Sequence, residues 1–191
     1  MNSVEVAKIH NELFQFLLNY QKNHEDFYFM PRQTNRYGRL DHGYWFRGND
    51  DLYLSIGFYS GEDGSNKTSN ISFQMYLKEV NGKPEKTSFI QLSNTPDSNA
   101  FDSKMPVLSN IMQELGGFEV NCSDKNGVER RWNRYYSSTN YLKCIEEFLV
   151  KDKPIIDYVI KEANNPDIGL LNKEISKQKI SNIIDRLVNQ R

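Results

Sequence analysis

Between residues 44 and 92 the chain carries four short runs of alternating or aromatic character, and nearly every other periodic stretch is helical. That division constrains the fold more than any single motif. Leu52–Tyr59 places Leu52, Leu54, Ile56 and Phe58 on one face and rings on the other. Ile71–Leu77 alternates apolar and polar residues, the pattern of a strand with one wet face. Ser88–Leu92 follows Asn81-Gly82, a strong hairpin signal, and Tyr44–Arg47 is a short aromatic run. Strands close in sequence and joined by turns pair antiparallel.

The helical stretches flank this block. Val6, Ile9, Leu13, Phe16, Leu17 and Tyr20 recur at three- and four-residue steps and predict a helix over 3–22 with Ser3 as its N-cap. A second helix is expected over 104–115, stopped by Gly116-Gly117. A second hairpin is expected from Phe118–Cys122 and Val128–Arg134 around Asp124-Lys125-Asn126-Gly127. Residues 138–162 read as helical, with Pro154 expected to break or kink them. An amphipathic helix is expected over 168–189. The expected class is α+β: an N-terminal helix, a mainly antiparallel twisted sheet, helices packed on it, and a C-terminal amphipathic helix. Residues 1–163 read as one domain, and 166–191 as a helix that docks on it or connects to a partner or further domain.

No apolar run approaches the roughly 20 residues needed to span a bilayer, and the first residues lack a basic segment followed by an apolar block. The expected location is cytoplasmic, with Cys122 and Cys144 as free thiols.

Several chemistries fail on spacing. Gly61-Glu62-Asp63-Gly64-Ser65-Asn66-Lys67-Thr68 approaches a phosphate-binding loop, but Asn66 stands where the second glycine is needed and a strand follows instead of a helix. The three histidines, His10, His24 and His42, lack partners at zinc-ligand spacing. No Gly-x-Ser-x-Gly context surrounds Ser55 or Ser60. Asp50, Asp51 and Glu62 keep open a metal-dependent nuclease-like alternative, although no acid-x-lysine follows on an adjacent run. No cofactor or resident metal is expected, and no catalytic residue is assigned.

Two segments carry what remains. Residues 28–47 hold four arginines, Arg32, Arg36, Arg39 and Arg47, against one acid, Asp41, in a chain with 24 Lys+Arg and 25 Asp+Glu overall. Tyr37, Tyr44 and Trp45 interleave with them. The second segment is Arg130-Arg131-Trp132-Asn133-Arg134-Tyr135-Tyr136. Cations hold phosphates, and rings stack on unpaired or flipped bases. Lys67 is a further phosphate candidate, and Gln33, Asn35 and Asn49 are candidates for a base edge. The competing reading puts Trp45, Phe46 and Trp132 in the core and the arginines along a wet surface, their stems packed and their heads in water. A protein-interaction module using the last helix also stays open.

Three stretches resemble a known family. Phe27-Tyr28-Phe29-Met30-Pro31-Arg32, Gly43-Tyr44-Trp45-Phe46-Arg47-Gly48-Asn49 and Asn66-Lys67-Thr68-Ser69-Asn70-Ile71-Ser72-Phe73 are similar to N-terminal regions of the bacterial modified-cytosine restriction (McrB-like) AAA+ family. Trp132-Asn133-Arg134-Tyr135-Tyr136 and Lys153-Pro154-Ile155-Ile156-Asp157-Tyr158 fit the same likeness. The resemblance implies a bacterial DNA-binding recognition module of a restriction or antiviral defence system, in some members one that flips a modified base, with motor and nuclease elsewhere.

Overall fold

The spacing at 3–22 forms helix α1 (Ser3–Lys22), which buries Val6, Ile9, Leu13, Phe14 and Leu17. The computed structural model describes residues 3–49, 52–61, 70–80, 83–94, 101–123, 127 and 129–189. Asp50, Asp51, Glu62, Asp63, the Asn66-Lys67-Thr68 stretch, Asn81-Gly82 and Asp124-Lys125-Asn126 lie outside the described residues. The strands are β1 (Tyr53–Gly57), β2 (Tyr59–Ser60), β3 (Ile71–Val80), β4 (Lys83–Ser93), β5 (Glu119–Ser123) and β6 (Glu129–Tyr135). α2 (Phe101–Leu115) separates β4 from β5. Five strands form one antiparallel sheet in the order β1-β3-β4-β6-β5. The architecture is α+β.

Register assigns the two faces. Leu54 opposes Met75, Ile56 opposes Phe73, Phe73 opposes Ile90, and Leu92 opposes Trp132. These residues join α1, α2 and the later helices in one apolar core. The alternate residues form the other face. There Ser55 opposes Gln74, Gln74 opposes Phe89, and Phe89 opposes Tyr135; beside them Ser72, Gln91 and Asn133 align. Among the described residues, no helix shares an apolar core residue with this face, yet it is buried: Ser72, Gln74, Phe89 and Asn133 are 0–7% exposed. Its buried ring, Phe89, contacts Tyr76 and Tyr135 at centroid distances of 4.5 and 5.4 Å.

Over residues 141–163 the helix is not broken at Pro154 but irregular just before it. α3 (Tyr141–Glu147) runs through a π turn at Phe148–Asp152 into α4 (Lys153–Ala163). The Lys153 amide donates to the Phe148 carbonyl, a five-residue span, so the helix widens before Pro154 and its missing N–H falls in the first turn of α4. The last helix also starts later than its apolar spacing implied. Gly169–Leu170 forms β7, paired antiparallel with β2. Asn172 then caps α5 (Lys173–Asn189) by accepting from the Ile175 amide at 3.1 Å. α5 docks on the rest: Ile180 and Ile183 join the core, and the Ser176 hydroxyl donates to the Phe29 carbonyl at 2.7 Å. Among the described residues, no helix is long and apolar enough to cross a membrane.

Candidate nucleic-acid interface

The first arginine segment is bound to the free side of β1. The Met30 amide donates to Gly57 at 2.8 Å, the Ser55 amide to Arg47 at 2.6 Å, and the Arg32 amide to Trp45 at 2.7 Å. Gly48 permits this close approach. Its φ is +134°, and a Cβ there would lie 2.5 Å from the Tyr53 carbonyl oxygen. The turn between these runs is fixed by Asn35, whose side-chain oxygen accepts from the Leu40 amide at 2.8 Å while its amide nitrogen donates to Asp41 at 2.6 Å. Arg186 of α5 holds the other Asp41 oxygen at 2.6 Å.

At the tip of that turn Tyr37 sits in left-handed backbone, φ 57° and ψ 26°, a conformation that costs an ordinary residue roughly 1–2 kcal/mol. Its side chain is 77% exposed. The Arg36 guanidinium lies 4.8 Å from the ring centroid and donates to the hydroxyl at 2.9 Å. Below them is a cleft of about 540 Å³, walled by Arg32, Arg36, Arg39 and Arg47 with Tyr37 and Asn49. No carboxylate is among its described lining residues. A depression of about 290 Å³ adjoins it across Arg32 and Gln33 and brings in Lys179, Asn182, Asp185 and Arg186 of α5.

The four arginines differ in what they do. Arg32 is half-buried, with Nε donating to the Tyr44 carbonyl at 3.1 Å and a terminal nitrogen donating to Phe46 at 2.8 Å. It builds the wall by pinning residues 44–46. Arg32→Lys, which has no planar fork, is expected to lower stability by about 2 kcal/mol in urea unfolding; an unchanged midpoint would show those bonds to be dispensable. Arg39 lies 5.0 Å from the centroid of the Tyr44 ring. Arg36 and Arg47 are exposed and have no ionic partner among the described residues.

Beneath the cleft wall lies His10 of α1. Burial, and then the charges of Arg32 and Arg39, lower its pKa to about 3, so the ring is neutral. Its Nδ1 accepts from the Phe46 amide at 3.2 Å.

Several candidate rings are removed by burial. Trp45 and Tyr44 are each 2% exposed and Trp132 is 5% exposed, all in the core, where no base reaches them without repacking. Register with Leu92 points Trp132 at the helices; the expected run Tyr44–Arg47 forms no strand, only an isolated bridge from Arg47 to Ser55, and Tyr44 and Trp45 are buried against α1 and its neighbours instead.

The second segment divides by strand alternation. Arg130, Trp132 and Arg134 take the helix-covered face, while Arg131, Asn133 and Tyr135 take the helix-free one. Arg134 is a structural clamp: it pairs with the buried Asp152 at 3.0 Å and lies 5.9 Å from the Tyr136 centroid. Arg131 and Tyr135 are exposed. The two segments do not meet in one pocket. The cleft is lined by the first alone, and β6 lies three strand steps from β1, roughly 14 Å.

Sequence reasoning missed the amide ladder on the helix-free face. Gln74 donates to Ser72 and to Gln91, each at 2.9 Å; Gln91 donates to Asn133 at 3.2 Å; and Asn133 donates to the Tyr135 hydroxyl at 3.0 Å. Among the described residues no group of His, Cys, Asp and Glu could hold a metal ion. Asp50, Asp51, Glu62 and Lys67 are outside that set. No family model, curated protein or solved structure matches this chain.

Proposed function

We propose that this protein is a DNA-recognition module that holds phosphates at Arg36 and Arg47 and takes an unstacked or modified base against Tyr37. One observation carries the reading: four arginines and an exposed, strained tyrosine surround a 540 Å³ cleft with no carboxylate among its described lining residues. A cleft of one sign concentrates polyanions, and a ring held over its mouth offers a π-face to a base. The Gln33 and Asn49 amides line the same space and supply the donors and acceptors that a base edge needs. Among its described lining residues nothing resembles a positioned nucleophile and base, which favours binding over reaction. Its place in a restriction or antiviral defence system rests on the sequence resemblance.

Fluorescence anisotropy with labelled DNA, with and without modified cytosine, tests the reading. The parent chain is expected to bind with a steep salt dependence. Arg36→Ala/Arg47→Ala is expected to lose at least about tenfold in affinity and to flatten the log–log salt slope by about 0.9 per lost phosphate contact. No binding by the parent at about 50 mM salt, or parental binding by the double variant, would end the proposal.

A further inference from the structure

The cleft has a neighbour across one of its walls. Arg32 and Gln33 line the cleft and also line the depression of about 290 Å³ beside it. Arg32 is a fixed partition between the two hollows, because its guanidinium donates to the Tyr44 and Phe46 carbonyls at 3.1 and 2.8 Å. The far side of the depression is α5. Lys179, Asn182 and Arg186 line it, and steps of three and four residues put them in one row along the helix. That row is held in place without a ligand. Ile180 and Ile183 are buried in the core, the Ser176 hydroxyl donates to the Phe29 carbonyl, and Arg186 donates to Asp41 at the arginine turn.

The polar groups of the row are not equivalent. Arg186 is committed to Asp41 at 2.6 Å, and that contact offsets the one acid of residues 28–47. Lys179 is half-buried and has no ionic partner among the described residues. A lysine whose stem packs along a wall presents its ammonium as a point charge to an anion. Asn182 is exposed and adds an amide donor. Among the described lining residues the depression has one carboxylate, Asp185. It is six residues on from Lys179, roughly 120° round the helix, so it stands beside the row and not in it.

Resting on the DNA-binding reading of the cleft, we propose that the depression is a second phosphate subsite, in which Lys179 and Asn182 hold a phosphate that neighbours the nucleotide in the cleft. A nucleic-acid strand repeats its phosphates along one backbone, and cations on both sides of the Arg32 partition fit that repetition. α5 is then part of the binding surface, and its ion pair with Asp41 fastens the second subsite to the first.

Fluorescence anisotropy on the intact chain, with the labelled DNA used for the cleft, tests this. Lys179→Ala/Asn182→Ala is expected to lose about fivefold in affinity and to flatten the log–log salt slope by about 0.9. Lys179→Gln, which keeps much of the stem and loses the charge, should lose most of that on its own. Phosphate contacts carry no base information, so the ratio of affinities for modified and unmodified DNA should stay at its parental value in both variants. Asp185→Asn is expected to bind about two- to threefold tighter, a gain that loss of folding cannot imitate. Lys177 is exposed and two residues from Lys179, on the opposite side of α5, so Lys177→Ala should bind nearly as the parent does. Parental binding by both Lys179 variants overturns the second subsite while leaving the cleft intact. An equal loss in Lys177→Ala, or weaker binding by Asp185→Asn, overturns it as well, since either shows a diffuse field in place of a local contact. No binding by the parent overturns both proposals.

Discussion

Replacing Asp152 by alanine is expected to lower the unfolding free energy by about 3 kcal/mol, the largest loss from a single site outside the apolar core. The carboxylate is 4% exposed, at the end of the π turn. It accepts from the Tyr136 hydroxyl at 2.5 Å and from Arg134 at 3.0 Å. Removing it strands a guanidinium whose side chain is only 26% exposed and a hydroxyl buried behind it. The Arg134 charge keeps some water, which places the cost at the lower end for a broken buried pair. Burial, then the hydrogen bond to Asp152, already raise the Tyr136 pKa well above its usual value, so that hydroxyl stays a donor in search of an acceptor. Asp152→Asn should lose less, because its amide oxygen still accepts. For a chain of this length the alanine variant should melt roughly 6–12 °C lower. Arg131→Ala, from the same sequence segment, should melt within a degree or two of the parent. Equal melting of Asp152→Ala and parent would show that the clamp does not hold the π turn to β6.

Acidification is expected to cost about 2 kcal/mol between pH 7 and pH 5 through His10 alone. Its folded pKa is lowered to about 3 by burial first and then by Arg32 and Arg39, against about 6.5 in the unfolded chain. Between those values the unfolded chain binds the extra proton. The stabilising contribution is therefore complete above about pH 6.5 and is lost as pH falls toward 3, at about 1.4 kcal/mol per unit. His24 and His42 are exposed and do not share this burial. Urea unfolding at several pH values should show the slope, and His10→Gln, whose side-chain oxygen can accept from the Phe46 amide, should flatten it. A parental slope in that variant would place the acid sensitivity elsewhere. The same protonation would unfasten residues 44–46 from α1, so affinity in the cleft should weaken over the same pH window.

Much of the framework was legible because period-2 and period-3.6 patterns are local. The 3–22 spacing located α1, and the polar alternation of 71–77 marked the face that no helix covers. Pro154 was read as a break or kink with no sign of the π turn, because Asp152 in that turn pairs with Arg134 on β6, 18 residues back along the chain. Gly169–Leu170 was read as helix because its pairing partner is Tyr59–Ser60. The tryptophans were ambiguous for the same reason: a ring beside an arginine looks alike in a binding face and in a core until its contacts with distant segments are known. The amide ladder left no local trace, since Gln74 and Gln91 are 17 positions apart and Gln91 and Asn133 are 42 apart.

That ladder has an entropic consequence. Gln74, Gln91 and Asn133 lost their rotamer freedom when the sheet formed, because each is already tied to a neighbour. The cost of ordering them falls on folding, so the part of the sheet they tie together is already rigid in the free protein. A face of loose glutamines would keep many arrangements in the folded state; this one keeps a single arrangement, fixed during folding.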